Sequence, residues 1–156
     1  MVSKLSKYFY FTASFMFFLI ATLYLSDMLV SQLAQGLSIS NDVFSLNYVE
    51  NSGAAFNIFK DAREFLIIAS VVAICIVISY IIRNISTVSM KHLFFFAMLC
   101  AGIGGNLHER IAFGFVRDYI QLSFVNFPVF NISDIMINIG VLAVVIIILR
   151  KKIWLF

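Results

Sequence analysis

Two aspartates, Asp118 and Asp134, and the polar residues spaced around them are the part of this sequence best suited to chemistry. Asn131, Asp134 and Asn138 stand at i, i+3 and i+7, one face of a helix. Asn106 and Arg110 stand at i and i+4 in "GIGGNLHER", with Glu109 beside them, and Asp118 follows in "GFVRDY". Two carboxylates held about 3–5 Å apart cannot both ionise comfortably, so they share a proton. One then acts as a base toward water and the other as an acid toward a carbonyl. That is aspartyl-protease chemistry, and it needs no metal, serine or cysteine. Asp134 also has a structural use open to it, because a carboxylate near a helix start is stabilising, and Asn131 suits an N-cap.

Other chemistries find less support. His108 has no HExxH context and no second histidine nearby, so a zinc site is not expected, and it reads as an interfacial polar residue. His92 lies at the far end of its apolar segment. Ser52 has no visible base. No phosphate-binding or dinucleotide fingerprint is present, so neither a cofactor nor a nucleic-acid partner is expected. Cys75 and Cys100 lie in apolar runs without CxxC spacing and read as small buried hydrophobes.

The elements that must position these residues are membrane helices. The chain is 62% hydrophobic and 12% charged, with 18 phenylalanines, where soluble domains are about 45–50% apolar and about 25% charged. Its mean hydropathy is +1.01. Four apolar stretches suit spans, at about 8–26, 65–82, 93–112 and 132–149. The first exceeds the apolar core of a signal peptide and lacks a clear cleavage site, so it reads as a retained helix. Lys4 and Lys7, then Arg83 and Lys91, then Arg150, Lys151 and Lys152 mark one side, which the positive-inside rule makes cytoplasmic. Both termini are then inside. The acids gather at or beyond the opposite face.

The connections are unequal. The cytoplasmic loop at 83–92 is short, whereas the outer segment at 27–64 is long. Within it "DVFSLNYVENSGAAFNIF" partly alternates and suits a strand or hairpin, with room for a short interfacial helix after it. A second outer segment, 113–131, is aromatic and partly alternating, and Pro128 can end a strand before span four. The expected fold is an all-α membrane protein of four transmembrane helices with a small extracytoplasmic β-strand region, in a single domain over 1–156.

Five stretches in order resemble the lipoprotein signal peptidases (signal peptidase II), a family of four-helix membrane aspartyl proteases. They are "SD" at 26–27, "ENSGAAF" at 50–56, "GGNLHER" at 104–110, "FVRDY" at 115–119 and "FNISD" at 130–134. The resemblance implies that Asp118 and Asp134 are the catalytic pair. It places supporting roles on Asp27, Asn51, Gly53, Asn106, Arg110 and Asn131. Asn106 and Asn131 would orient the carboxylates, and Arg110 would hold local structure or substrate carbonyls. Asn51 would close over the peptide, with the small residues from Gly53 onward lining that clamp. The implied substrates are diacylglyceryl-prolipoproteins in the bacterial cytoplasmic (inner) membrane, cut just before the lipidated cysteine near the outer face. Membrane lipid and globomycin-type inhibitors are implied partners.

The sequence departs from the family pattern at several positions. Glu109 stands where aspartate is usual, Val30 and Ser31 where Thr-Lys is usual, Asn57 where glycine is common, and Ser133 where alanine is usual. Asn138 lies outside the pattern. Two rival readings of the acids are a proton-coupled small membrane transporter, which needs acids spread through membrane depth, and a non-enzymatic scaffold with polar residues as helix glue.

Overall fold

The computed structural model describes residues 2–54 and 58–153. Asn57, Ala55 and the side chains of Arg150, Lys151 and Lys152 lie outside the described residues. In chain order the elements are α1 (Lys4–Ala34), β1 (Phe44–Asn51), α2 (Arg63–Asn84), α3 (Met90–Phe113), β2 (Val116–Leu122) and α4 (Ile132–Ile153). The helices α1, α2 and α3 are each long and apolar enough to cross a membrane. The 22 residues of α4 extend about 33 Å at the usual rise, close to the hydrocarbon thickness of about 30 Å.

The first helix outruns the expected span of 8–26. Ser3 starts it, its Oγ accepting from the Ser6 amide at 3.0 Å. Ser26 and Asp27 do not stop it, because Ser26 turns inward to Tyr119 and Asp27 turns outward to Arg117. It ends just before Gly36, which takes φ +96°.

The bundle is built around α3, with 50% of its spanning stretch buried against 11% for α1 and for α2. The outer helices turn large apolar side chains outward, among them Phe9, Phe17, Ile68, Ile76 and Leu142. Lipid solvates such a surface as well as protein does, so close packing rather than hydrophobicity must join the helices. Cys100 is buried as expected, but Cys75 is exposed. It lies on the lipid-facing side of a peripheral helix, where an apolar run says nothing about burial.

Small residues provide the close packing. A Cβ on Gly102 would stand 2.6 Å from the Ser133 carbonyl oxygen, and one on Gly140 would stand 2.6 Å from Leu99 Cβ. A Cβ on Gly105 would collide with Ser133 Oγ. The α3–α4 contact thus exists only because these positions lack side chains.

At one end of the bundle, Lys7 Nζ donates to the carbonyls of Ile85 (2.9 Å), Ser86 (3.2 Å) and Val88 (2.6 Å). These groups close the α2–α3 connection over an apolar cluster of Ile81, Ile85, Val88, Leu93 and Phe96. At the other end, β1 and β2 pair antiparallel, from Phe44 opposite Leu122 to Asn51 opposite Val116, with a bulge between Leu46 and Val49. The strand at 44–51 therefore pairs with the second outer segment and not with its own continuation. Its Ser-Gly turn is used differently: Asn51 Oδ1 accepts from the Gly53 amide at 2.9 Å, and the Ala54 amide donates to the Ile58 carbonyl at 2.7 Å. Among the described residues no interfacial helix follows. Phe59 and Asp61 take φ +57° and +61°, which a right-handed helix does not accommodate.

Candidate active site

The sheet aims Asn51 and Asp118 at each other. Val49 pairs with Asp118 and Asn51 with Val116, so Asn51 and Asp118 are diagonal neighbours on one face. Asn51 Nδ2 donates to Asp118 Oδ2 at 2.9 Å. A separate bridge brings in the start of α4. The Ile120 and Phe130 backbones exchange hydrogen bonds of 2.8 and 2.9 Å, which sets Asn131 beside Asp118. Asn131 Nδ2 donates to Asp118 Oδ1 at 2.8 Å and to Asn106 Oδ1 at 3.2 Å. Asn106 Nδ2 in turn donates to Asp134 Oδ1 at 2.8 Å. The two carboxylates are thus joined by a relay of two asparagine amides, Asn131 just before α4 and Asn106 on α3, while Asn51 from β1 holds the other oxygen of Asp118.

Asp134 does cap its helix, as its position allows. Its Oδ2 accepts from the Asn131 amide at 3.1 Å, while Asn131 Oδ1 accepts from the Asp134 amide at 3.0 Å. This reciprocal box occupies one oxygen of Asp134 and leaves the other to Asn106. Capping and site geometry are therefore one arrangement: the box fixes the rotamer that presents Oδ1 to the cleft.

Burial pushes the Asp118 carboxyl up to about 7, and the charge of Asp134 adds to the rise, while the bonds from Asn51 and Asn131 oppose it. Beside the carboxylates lies an open cleft of about 780 Å³, whose lining includes Asn51, Asn106, Asp118 and Asp134. The cleft opens this end of the bundle to water beside the pair.

The other expected residues take more specific places. The buried Arg110 donates to the Gly53 carbonyl at 2.8 Å and to the Asn106 carbonyl at 3.3 Å. It pins the segment after β1 onto α3. Gly53 joins the site through its backbone. Asn51 is a direct partner of Asp118. Asp27 is not brought to the carboxylates. Its side chain is 66% exposed and meets Arg117 at 2.7 Å. His108 is exposed, with its ring edge-on to Phe113. Among the described residues no cluster of His, Cys, Asp or Glu could hold a metal ion.

Sequence reasoning missed Arg117. Glu109 accepts from the Arg117 backbone amide at 2.6 Å, from Nε at 3.0 Å and from a terminal guanidinium nitrogen at 2.7 Å. The guanidinium lies 4.3 Å above the Phe113 ring. Glu109 thus clamps the start of β2 to α3 and sets the depth of Asp118 one residue later. A signal was present: on a strand, Arg117 must face away from Asp118, toward the acid left over in "GGNLHER". We expect Glu109→Gln to destabilise the protein by about 3 kcal/mol, because it strips a buried partner from a charge. Asp27→Asn should cost less than about 1 kcal/mol, as for exposed ion pairs. Denaturant titration in detergent checks both.

Tyr119 was also underread. It is fully buried, its hydroxyl 2.9 Å from Ser26 Oγ and accepting from the Ile132 amide at 3.3 Å. Its ring therefore ties β2 to α1 and to the first turn of α4. Arg63, at the start of α2, donates to the carbonyls of Arg110 (2.8 Å) and Ile111 (3.2 Å), satisfying the end of α3.

Residues 8–150 match the model of the family described as signal peptidase (SPase) II. A lipoprotein signal peptidase of Clostridium tetani is 33% identical over 122 residues, covering 76% of this chain and 78% of that one. One from Caldicellulosiruptor bescii is 35% identical over 115 residues, covering 74% and 73%. A solved bacterial membrane enzyme, determined by the in meso method at 2.3 Å resolution, superposes with a TM-score of 0.78 at 23% identity, covering 91% of this chain and 88% of that one. A second, at 1.9 Å resolution, gives 0.73.

Proposed function

The chain belongs to the signal peptidase (SPase) II family, and from that premise we propose that it removes the signal peptide from diacylglyceryl-modified prolipoproteins, cutting just before the lipidated cysteine. The observation that carries the mechanism is the asparagine relay joining two carboxylates at the edge of a cleft. Asp118 and Asp134 share one proton. The ionised member takes a proton from the lytic water, and the protonated member donates to the scissile carbonyl as it becomes tetrahedral. Asn51, Asn106 and Asn131 hold the carboxylates at fixed rotamers. Arg110 keeps the Gly53 segment over the cleft.

The chain acts as one domain in the bacterial cytoplasmic membrane, with both termini inside and the carboxylates near the outer face. The structure is consistent with that orientation: Lys7 and the α2–α3 connection share one end, while the sheet and both aspartates share the other. A proton transporter would need acids spread through the helix bundle; instead Asp118 and Asp134 gather with Glu109 at one end. Membrane lipid and a globomycin-type cyclic peptide would occupy the same cleft as the substrate.

The test is cleavage of a diacylglyceryl-prolipoprotein by the purified protein in liposomes, read by mass spectrometry, with a non-lipidated control. Cleavage just before the lipidated cysteine, and none of the control, is the expected result. A folded but inert protein, or equal cleavage of both substrates, counts against the reading.

A further inference from the structure

We propose that Asn138 is a specificity-determining residue that caps the end of the bound signal helix. The inference rests on the peptidase reading above. Asn138 follows Asp134 by one turn on the same face of α4, about 6 Å further along the helix. It is exposed, and it lines the cleft next to Ile135 and Ile137. Among the described residues its amide makes no hydrogen bond. The neighbouring positions on α4 are apolar, including Ile139 and Val141, both exposed. An amide that finds no partner in the protein is left to cleft water or to a bound ligand, and the site residues do not supply a partner: Asn106, Asn131 and the two aspartates are bonded among themselves.

The substrate provides the missing partner. Its scissile bond must reach Asp118 and Asp134 in extended form, and the chain before the cut runs back into the hydrocarbon as a helix. The last four carbonyls of a helix have no intrahelical donor. Those carbonyls lie deeper than the cut, at the level of Asn138. The asparagine amide carries two N–H donors and serves the orphaned carbonyls there. Cut-site choice then depends partly on where the signal helix ends, and not only on the residues beside the cysteine.

The experiment compares wild type, Asn138→Leu and Asn138→Gln in liposomes, varying the mole fraction of substrate. One substrate is a full-length diacylglyceryl-prolipoprotein. The other is a diacylglyceryl peptide shortened to the few residues around the cut, which keeps the lipid and loses the helix. For the full-length substrate, Asn138→Leu should raise KM about tenfold, as for loss of a buried hydrogen bond, with little change in kcat. Asn138→Gln should recover most of that loss. On the shortened peptide the difference between wild type and Asn138→Leu should shrink toward none. Thermal melts establish that the variants fold, and Leu is a better residue than Asn for a membrane helix. An unchanged KM for Asn138→Leu overturns the proposal while leaving the peptidase reading intact. An equal loss on the shortened peptide also overturns it, and assigns the amide to the lipid or to the reacting centre. A wild type that cleaves neither substrate overturns both readings.

Discussion

Asp118→Asn and Asp134→Asn are each expected to lower kcat for prolipoprotein cleavage by about 10³-fold, the scale of a lost general acid or base. The two losses should not add, because a shared proton requires both carboxylates and removing either dissolves the pair. The relay sharpens this expectation. Asp118 accepts two side-chain amides, from Asn51 and Asn131, and Asp134 accepts one, from Asn106. An asparagine can accept through its oxygen, but its own amide would face a donor on the other side. Stability should therefore fall modestly while turnover nearly vanishes, and melting curves beside single-turnover rates separate the two. Turnover in either variant within tenfold of wild type would remove the carboxylate pair from the mechanism.

The pH dependence follows from the same pair. Asp118 titrates near 3.8 when solvated, and in the fold its value is raised to about 7, chiefly by burial. A raised carboxyl favours the fold fully below about 4, and that contribution is lost as the pH climbs through about 7. Wild-type stability should thus decline over this window, and Asp118→Asn should lack that part of the decline. Activity should fall above about pH 7 as well, because the shared proton leaves the pair. A rate flat from pH 6 to beyond pH 8, with chemistry rate-limiting, would contradict the shared proton.

Gly102→Ala should destabilise the protein by about 3 kcal/mol, at the upper end of overpacking costs. The added carbon would stand 2.6 Å from the Ser133 carbonyl and 3.0 Å from the Ile137 amide. Both are backbone atoms, so no rotamer change relieves the clash and α4 itself must move. Asp134 follows Ser133 directly, so the movement shifts a carboxylate relative to Asn106 and activity should fall further than stability. Gly104→Ala is the control. Its added carbon would meet only Leu19 Cδ1, at 3.5 Å, an ordinary contact, and alanine is the better helix former by about 1 kcal/mol. It should be neutral or stabilising. Equal melting temperatures for the two variants would mean that α3 and α4 are not held by this contact.

The sequence by itself determined the membrane class, the helical spans to within a few residues for α2, α3 and the start of α4, and the identity of the polar cluster. Bilayer thickness imposes long apolar runs that are hard to mistake, and a polar residue kept inside or beside such a run is conspicuous. The i, i+3 spacing of Asn131 and Asp134 even allowed both of their uses, cap and site. Only the tertiary structure decided the rest. Register between β1 and β2 put Asn51 diagonal to Asp118, and no local pattern announces which two outer segments will pair. The places of Ser26 and Asp27 within a continuing α1 were set by Tyr119 and Arg117, which lie 93 and 90 residues away. Glu109 acquired its role through the same arginine. The lipid-facing place of Cys75 was hidden because a membrane helix is apolar on every side, so hydropathy reports depth in the bilayer and does not report which face meets protein.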